Sequence, residues 1–100
     1  MNDKSCHLHT VERSAKFAHD LTSRLNKIEG QIRGIKGLVE KNIYCDDILT
    51  QVSSVQAALS SVSKLLLEDH IRTCVVEKIK AGDTEIIDEF IQTLARALRK

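Results

Sequence analysis

From Tyr44 to Ala81 the chain carries no residue that would stop a helix. Within this stretch Ile48, Val52, Val55, Leu59, Val62 and Leu66 recur at steps of four, three, four, three and four. That is a heptad-like seam, and it continues through Leu67 and Ile71 to about Lys80. A helix of this extent would be about 50 Å long at about 1.5 Å per residue. A compact domain of the same chain length has a radius of gyration of only about 13 Å. One small monomer cannot bury such a seam, so the pattern predicts a partner chain. We expect a dimer, or a dimer of dimers, with closed symmetry.

The flanking segments are helical too. From about Ser14 to Val39, the residues Leu21, Leu25, Ile28, Ile32, Ile35 and Val39 step by three or four along one helical face. Gly30, Gly34 and Gly37 interrupt this stretch. Each glycine costs roughly 1 kcal/mol relative to alanine, so each implies either close packing against another helix or a contact that needs bare backbone. Lys41-Asn42-Ile43-Tyr44 reads as a short turn. Gly82 is a natural stop for the middle helix, and Asp83 or Thr84 can cap the next one. The third helix is expected to bury Ile87, Phe90, Ile91, Leu94 and Leu98, with Arg96, Arg99 and Lys100 at its C-terminal end, where the helix dipole favours positive charge. The fold class is therefore all-α. It has three helices per subunit with a long central one, in a single domain over residues 13–100 behind a loose tail at residues 1–12.

Composition excludes several classes. Proline is absent, and the only aromatics are Phe17, Tyr44 and Phe90. There is no apolar run long enough for a membrane span, and the polar N-terminus lacks a signal-peptide core, so a cytoplasmic location is expected. Three cysteines in a reducing compartment are expected to serve as ligand, nucleophile or core filler rather than as disulfides. No base or oxyanion site accompanies them, and there is no Cys-x-x-Cys pair, so an enzyme is not expected and no organic substrate is implied.

His70 and Cys74 are four apart on a helix and point the same way, one turn apart. Alone they are a half-site that chance also produces. Cys45 opens the middle helix, about 44 Å from Cys74 if the helix is continuous. The two cannot share a metal within one chain. In an antiparallel pair of middle helices, however, Cys45 of one copy meets His70 and Cys74 of the other, giving two symmetric sites. Two thiolates and one imidazole form a soft, three-coordinate set that suits Cu(I), whereas Zn(II) usually takes a fourth ligand. The bland alternative is a pair of buried core cysteines. Cys6, His7 and His9 in the tail could also chelate, although ordering a flexible segment is costly.

The net charge of +1 points to no particular partner. Its distribution is uneven: the first 41 residues carry eight basic and five acidic side chains, and the remainder is net negative. Arg24 and Lys27 share a helical face, as do Arg33 and Lys36. On sequence alone these are as readily a solvated face as a phosphate-binding one.

Arg24-Leu25-Asn26-Lys27-Ile28-Glu29-Gly30-Gln31-Ile32-Arg33-Gly34-Ile35 resembles the first-helix signature of the copper-sensitive operon repressor family. Tyr44-Cys45-Asp46-Asp47-Ile48-Leu49, then Gln51 and Val55-Gln56-Ala57-Ala58-Leu59, resemble its second motif. Leu66-Leu67-Glu68-Asp69-His70 with Cys74 resembles its third. The likeness covers about residues 20–98. It implies a DNA-binding repressor built as antiparallel dimers in a flat homotetramer without a helix-turn-helix. It implies operator DNA as partner and Cu(I) as the bound metal, held by Cys45, His70 and Cys74, with metal binding releasing the DNA and derepressing copper efflux genes. It further implies that Tyr44 and Glu89 support the free ring nitrogen of His70, and that Arg24 and Lys27 contact DNA, with Arg33 and Lys36 as further candidates. The nickel and cobalt branch usually adds an N-terminal histidine, but about that position this chain has Arg13; that branch also replaces the last cysteine by histidine. The persulfide branch lacks the histidine found here as His70. A nickel or cobalt sensor, or a helical copper-buffering protein without DNA binding, remain the rival readings.

Overall fold

The computed structural model describes residues 13–98, all of them in helices or the short connections between helices. The tail with Cys6, His7 and His9, and Arg99 and Lys100 at the other end, lie outside the described residues. The helices are α1 (Ala15–Glu40), α2 (Cys45–His70), α3 (Val76–Lys80) and α4 (Glu85–Ala97), with a π-helical turn over Ile71–Val75 joining α2 to α3. Two compact units result, residues 13–62 and a C-terminal unit that begins at Ser63.

In the first unit, Ser14 caps α1 by accepting the Phe17 N–H on its hydroxyl at 3.1 Å. The helix ends in a left-handed turn. Asn42 has φ +57°, its N–H donates to the Val39 carbonyl, and the Ile43 N–H reaches back to Leu38. This paired pattern satisfies carbonyls that the end of a helix leaves open, and asparagine is among the few non-glycine residues that tolerate it. The predicted turn at residues 41–44 is this motif. Asp46 and Asp47 then fill the first turn of α2, where negative charge suits the helix dipole.

The apolar face predicted for α1 divides in two. Ile28 is buried, and Leu21 and Ile35, one heptad to either side, pack with it against Val55, Ala58 and Val62 of α2. Leu25, Ile32 and Val39, also one heptad apart, are 46%, 45% and 57% exposed. Leu59 and Leu66 on α2 are likewise exposed. Burying one Val or Ile is worth about 1.5–3 kcal/mol. Among the described residues one chain therefore gathers a small core and leaves many large apolar side chains exposed. The glycines follow suit. A methyl group at Gly34 or Gly37 would meet nothing within 4 Å, and at Gly30 only the Arg33 side chain at 3.7 Å. Packing among the described residues of one chain does not call for them.

Over residues 45–80 the expected unbroken α-helix is not found. The 36 residues from Cys45 to Lys80 are helical throughout, but Ile71–Val75 adopts the wider π-turn. Two local features account for this. Ile71, Thr73, Val75 and Val76 are β-branched and crowd an α-helix. The Thr73 hydroxyl also donates to the Asp69 carbonyl at 2.8 Å, competing with the backbone ladder there.

Gly82, at φ +86°, ends α3. Its N–H donates to Ile79 and that of Asp83 to Lys78. Asp83 is the hub of this connection. One of its carboxylate oxygens accepts the Glu85 N–H at 3.0 Å, and the other lies 3.5 Å from the Nζ of buried Lys78. Of the two capping candidates, Asp83 performs the task, and Thr84 makes no side-chain cap. On α4 the buried face is one residue out from the expected one. Ile86 is the fully buried residue and Phe90 and Leu94 are half-buried, while Ile87, Ile91 and Leu98 are exposed. The apolar sector of α4 is wider than the surface available to cover it.

Candidate metal centre and basic groove

The three soft donors occupy three different settings. Cys45 is the first residue of α2, and its thiol is exposed and free. Tyr44, immediately before it, is 71% exposed and offers its carbonyl to the N–H groups of Asp47 and Ile48. His70 is the last α-helical residue of α2 and is half-buried. Cys74 lies inside the π-turn and is 4% exposed. Among the described residues of a single chain, no three His, Cys, Asp or Glu side chains converge as a metal site.

Two details depart from expectation. First, the Cys74 sulfur is disulfide-bonded, whereas the sequence predicted unpaired cysteines. A bridged sulfur has no thiolate to donate, so the disulfide and the metal-ligand state of Cys74 exclude each other. Second, His70 and Cys74 are not separated by a plain α-turn. The π-turn adds a residue to that turn and so alters the angle between the two side chains around the axis, a device often found where a helix carries function.

His70 also has a neighbour that sequence reasoning treated only as core. Its imidazole stacks on the Phe90 ring, with centroids 5.9 Å apart and planes 27° from parallel. Phe90 adjoins Glu89, the residue expected to link His70 to the last helix, so His70 is joined to α4 through an aromatic face. With only three aromatics in the chain, the position of Phe90 was the available signal.

Of the basic residues singled out, Arg24 and Lys27 line one groove of the 13–62 unit, and Arg33 and Lys36 do not. Arg24 donates from Nε to Asp20 at 3.1 Å, and Arg33 lies 3.8 Å from Glu29. Both pairs are solvent-exposed and one helical turn apart, the kind worth only about 0.3–0.5 kcal/mol, so they yield readily to a stronger anion. Gln31, Ser54 and Ser61 line the same groove and were not anticipated.

A family model described as the metal-sensitive transcriptional repressor matches residues 18–96. The chain belongs to that family. It is 48% identical over 83 residues to the copper-sensing transcriptional repressor CsoR of Bacillus subtilis, covering 78% of this chain and 82% of that protein. Two solved structures share the repressor fold. The Cu(I)-bound copper-sensing repressor CsoR of Geobacillus thermodenitrificans superposes with a TM-score of 0.82 at 37% identity, covering 90% of this chain and 95% of that one. The nickel-responsive transcriptional regulator InrS superposes with a TM-score of 0.72 at 35% identity, covering 91% and 100%. Family members are transcriptional repressors, which accords with the expectation that the chain is not an enzyme. No described helix is long and apolar enough to cross a membrane.

Proposed function

We propose that the chain is a Cu(I)-responsive repressor that holds operator DNA when metal-free and releases it when Cu(I) binds Cys45, His70 and Cys74. The donor chemistry carries this reading. Two sulfurs and one imidazole stand in a chain close in sequence to a copper-sensing repressor, and such a set favours a soft monovalent ion over harder ones. The metal would supply a bond network that links its ligands. Cys45 would come from one copy and His70 and Cys74 from a second, in an antiparallel homodimer that pairs into a homotetramer. The exposed Leu25, Ile32, Val39, Leu59 and Leu66 support that assembly, because they are large apolar side chains that one chain leaves uncovered. Tyr44 and Glu89 would flank the imidazole from outside, beside Phe90. The protein would act in the cytoplasm on genes for copper efflux.

Release requires Cu(I) to favour the conformation that binds DNA poorly, and the coupling must be reciprocal. The test is an anaerobic Cu(I) titration of fully reduced protein on labelled operator DNA. Release near one Cu(I) per chain is expected, and unchanged DNA binding at saturation would sink the proposal. The likeness to the nickel-responsive regulator InrS favours a second reading, a nickel sensor. X-ray absorption separates the two: two sulfurs in a three-coordinate shell mark Cu(I), and four or more ligands rich in nitrogen mark nickel.

A further inference from the structure

Within the 13–62 unit, α1 and α2 flank an open groove with a volume of about 320 Å³. Arg24, Lys27 and Gln31 from α1 and Ser54 and Ser61 from α2 form its polar wall, over an apolar floor of Ile28 and Ala58. The lining carries two cations and no carboxylate. Gln31, one of the lining residues, has its Oε1 buried without a hydrogen-bond partner among the described residues. Such an atom is rare in a finished structure and marks a site that something else completes. A half-turn of that amide about its last torsion puts its NH₂ donors in the same place.

Two of the other polar groups keep donor capacity to spare. Arg24 spends one of its five N–H donors on Asp20. Ser61 donates to the Ala57 carbonyl at a long 3.3 Å, and its hydroxyl can rotate away. Arg24 and Ser61 can therefore each turn a donor toward the groove. An anion with several acceptor oxygens is the complementary ligand.

We infer that this groove seats one phosphodiester of the DNA backbone, with charge from Arg24 and Lys27 and position from Gln31, Ser54 and Ser61. The inference rests on the proposed DNA-binding reading and extends it to three uncharged residues. Arg24, Lys27, Ser54 and Ser61 are all exposed, so the seat is open at its rim. An open seat holds a free ion weakly, but suits a phosphate already delivered by neighbouring contacts along a polymer. Contacts of this kind set the register of a protein on the duplex.

The test is operator binding by reduced, metal-free, full-length variants across a salt series. Lys27→Gln should flatten the slope of log affinity against log salt by about 1. Gln31→Leu, Ser54→Ala and Ser61→Ala should each weaken binding about three- to tenfold with the slope unchanged, since they remove hydrogen bonds and no charge. Ser60→Ala, outside the groove, should bind as the parent does. Circular dichroism and Cu(I) stoichiometry check that each variant is folded. At the seated position, a neutral methylphosphonate in the DNA should cost the parent protein affinity and cost Lys27→Gln no more.

If Lys27→Gln flattens the slope but Gln31→Leu, Ser54→Ala and Ser61→Ala bind normally, the seat is refuted and the DNA-binding face stands. If the metal-free parent fails to bind operator at low salt, the repressor reading falls and the inference with it. If millimolar inorganic phosphate displaces DNA at constant ionic strength, and Ser61→Ala abolishes that effect, the groove is a free-phosphate site and the backbone assignment is overturned.

Discussion

The 13–62 helix pair and the C-terminal unit are built from the same apolar residues but use them differently. In the helix pair the apolar positions hold strict heptad intervals. Leu21, Ile28 and Ile35 face α2, and Leu25, Ile32 and Val39 remain in solvent. In the C-terminal unit the intervals break down. The π-turn shifts the helical phase, Cys74 and Lys78 become buried beside Val75, and α4 turns Ile86 inward in place of Ile87. Regular spacing yields a surface that a second helix pair can match along its length. Irregular spacing yields a local pocket in which single side chains have particular neighbours, as His70 has Phe90. The first region is suited to assembly and DNA contact, the second to holding two of the proposed metal ligands.

The strongest test of this contrast is at the ligands. In reduced protein, Cys74→Ser should weaken Cu(I) binding by more than the 10–100-fold that loss of an outer-shell partner brings, measured by competition with a Cu(I) chelator. A variant with near-parent affinity would remove the C-terminal unit from the metal site.

Next comes the division of the α1 face. Ile28→Ala should destabilise the fold by about 2–4 kcal/mol at any protein concentration, because Ile28 is buried within one chain. Ile32→Ala should act instead through assembly, so that its thermal midpoint approaches that of the parent as the protein is diluted. Equal, concentration-independent losses would mean that the two halves of the face do the same thing.

Asp83→Ala tests the local character of the C-terminal unit. It removes the α4 cap and leaves buried Lys78 without its carboxylate. Asp83 is a third exposed, so we expect a loss of about 2 kcal/mol, below the full cost of breaking a buried pair. Urea unfolding measures this, and Asp83→Asn should recover the part owed to capping.

The smallest effect concerns the glycines. Within one chain Gly34→Ala has room, and should stabilise the helix by about 1 kcal/mol. If the assembly brings a partner helix over Gly34, the same substitution will instead weaken the oligomer. Chemical denaturation and analytical ultracentrifugation of the same variant together tell which.

Much of this molecule was legible in the residues. The overall helical extents, the turn at residues 41–44, the stop at Gly82 and a cap at Asp83 or Thr84 followed from propensity and capping chemistry, which act over a few neighbouring residues. The family was legible as well, because its motifs lie in order along the chain. Three things were not. Periodicity said that both heptad rows of α1 are apolar, but not which row its own chain would cover, since both rows satisfy the same spacing. The π-turn was hidden because β-branched residues and a back-bonding threonine lower helix stability without dictating how the backbone relaxes. The groove of Arg24, Lys27, Gln31, Ser54 and Ser61 was invisible because it joins two helices whose relative rotation only packing sets. Local chemistry determined where the helical stretches begin and end at their caps and turns. Which side chains meet across helices was decided by close packing, in which a rotation of one residue changes every neighbour.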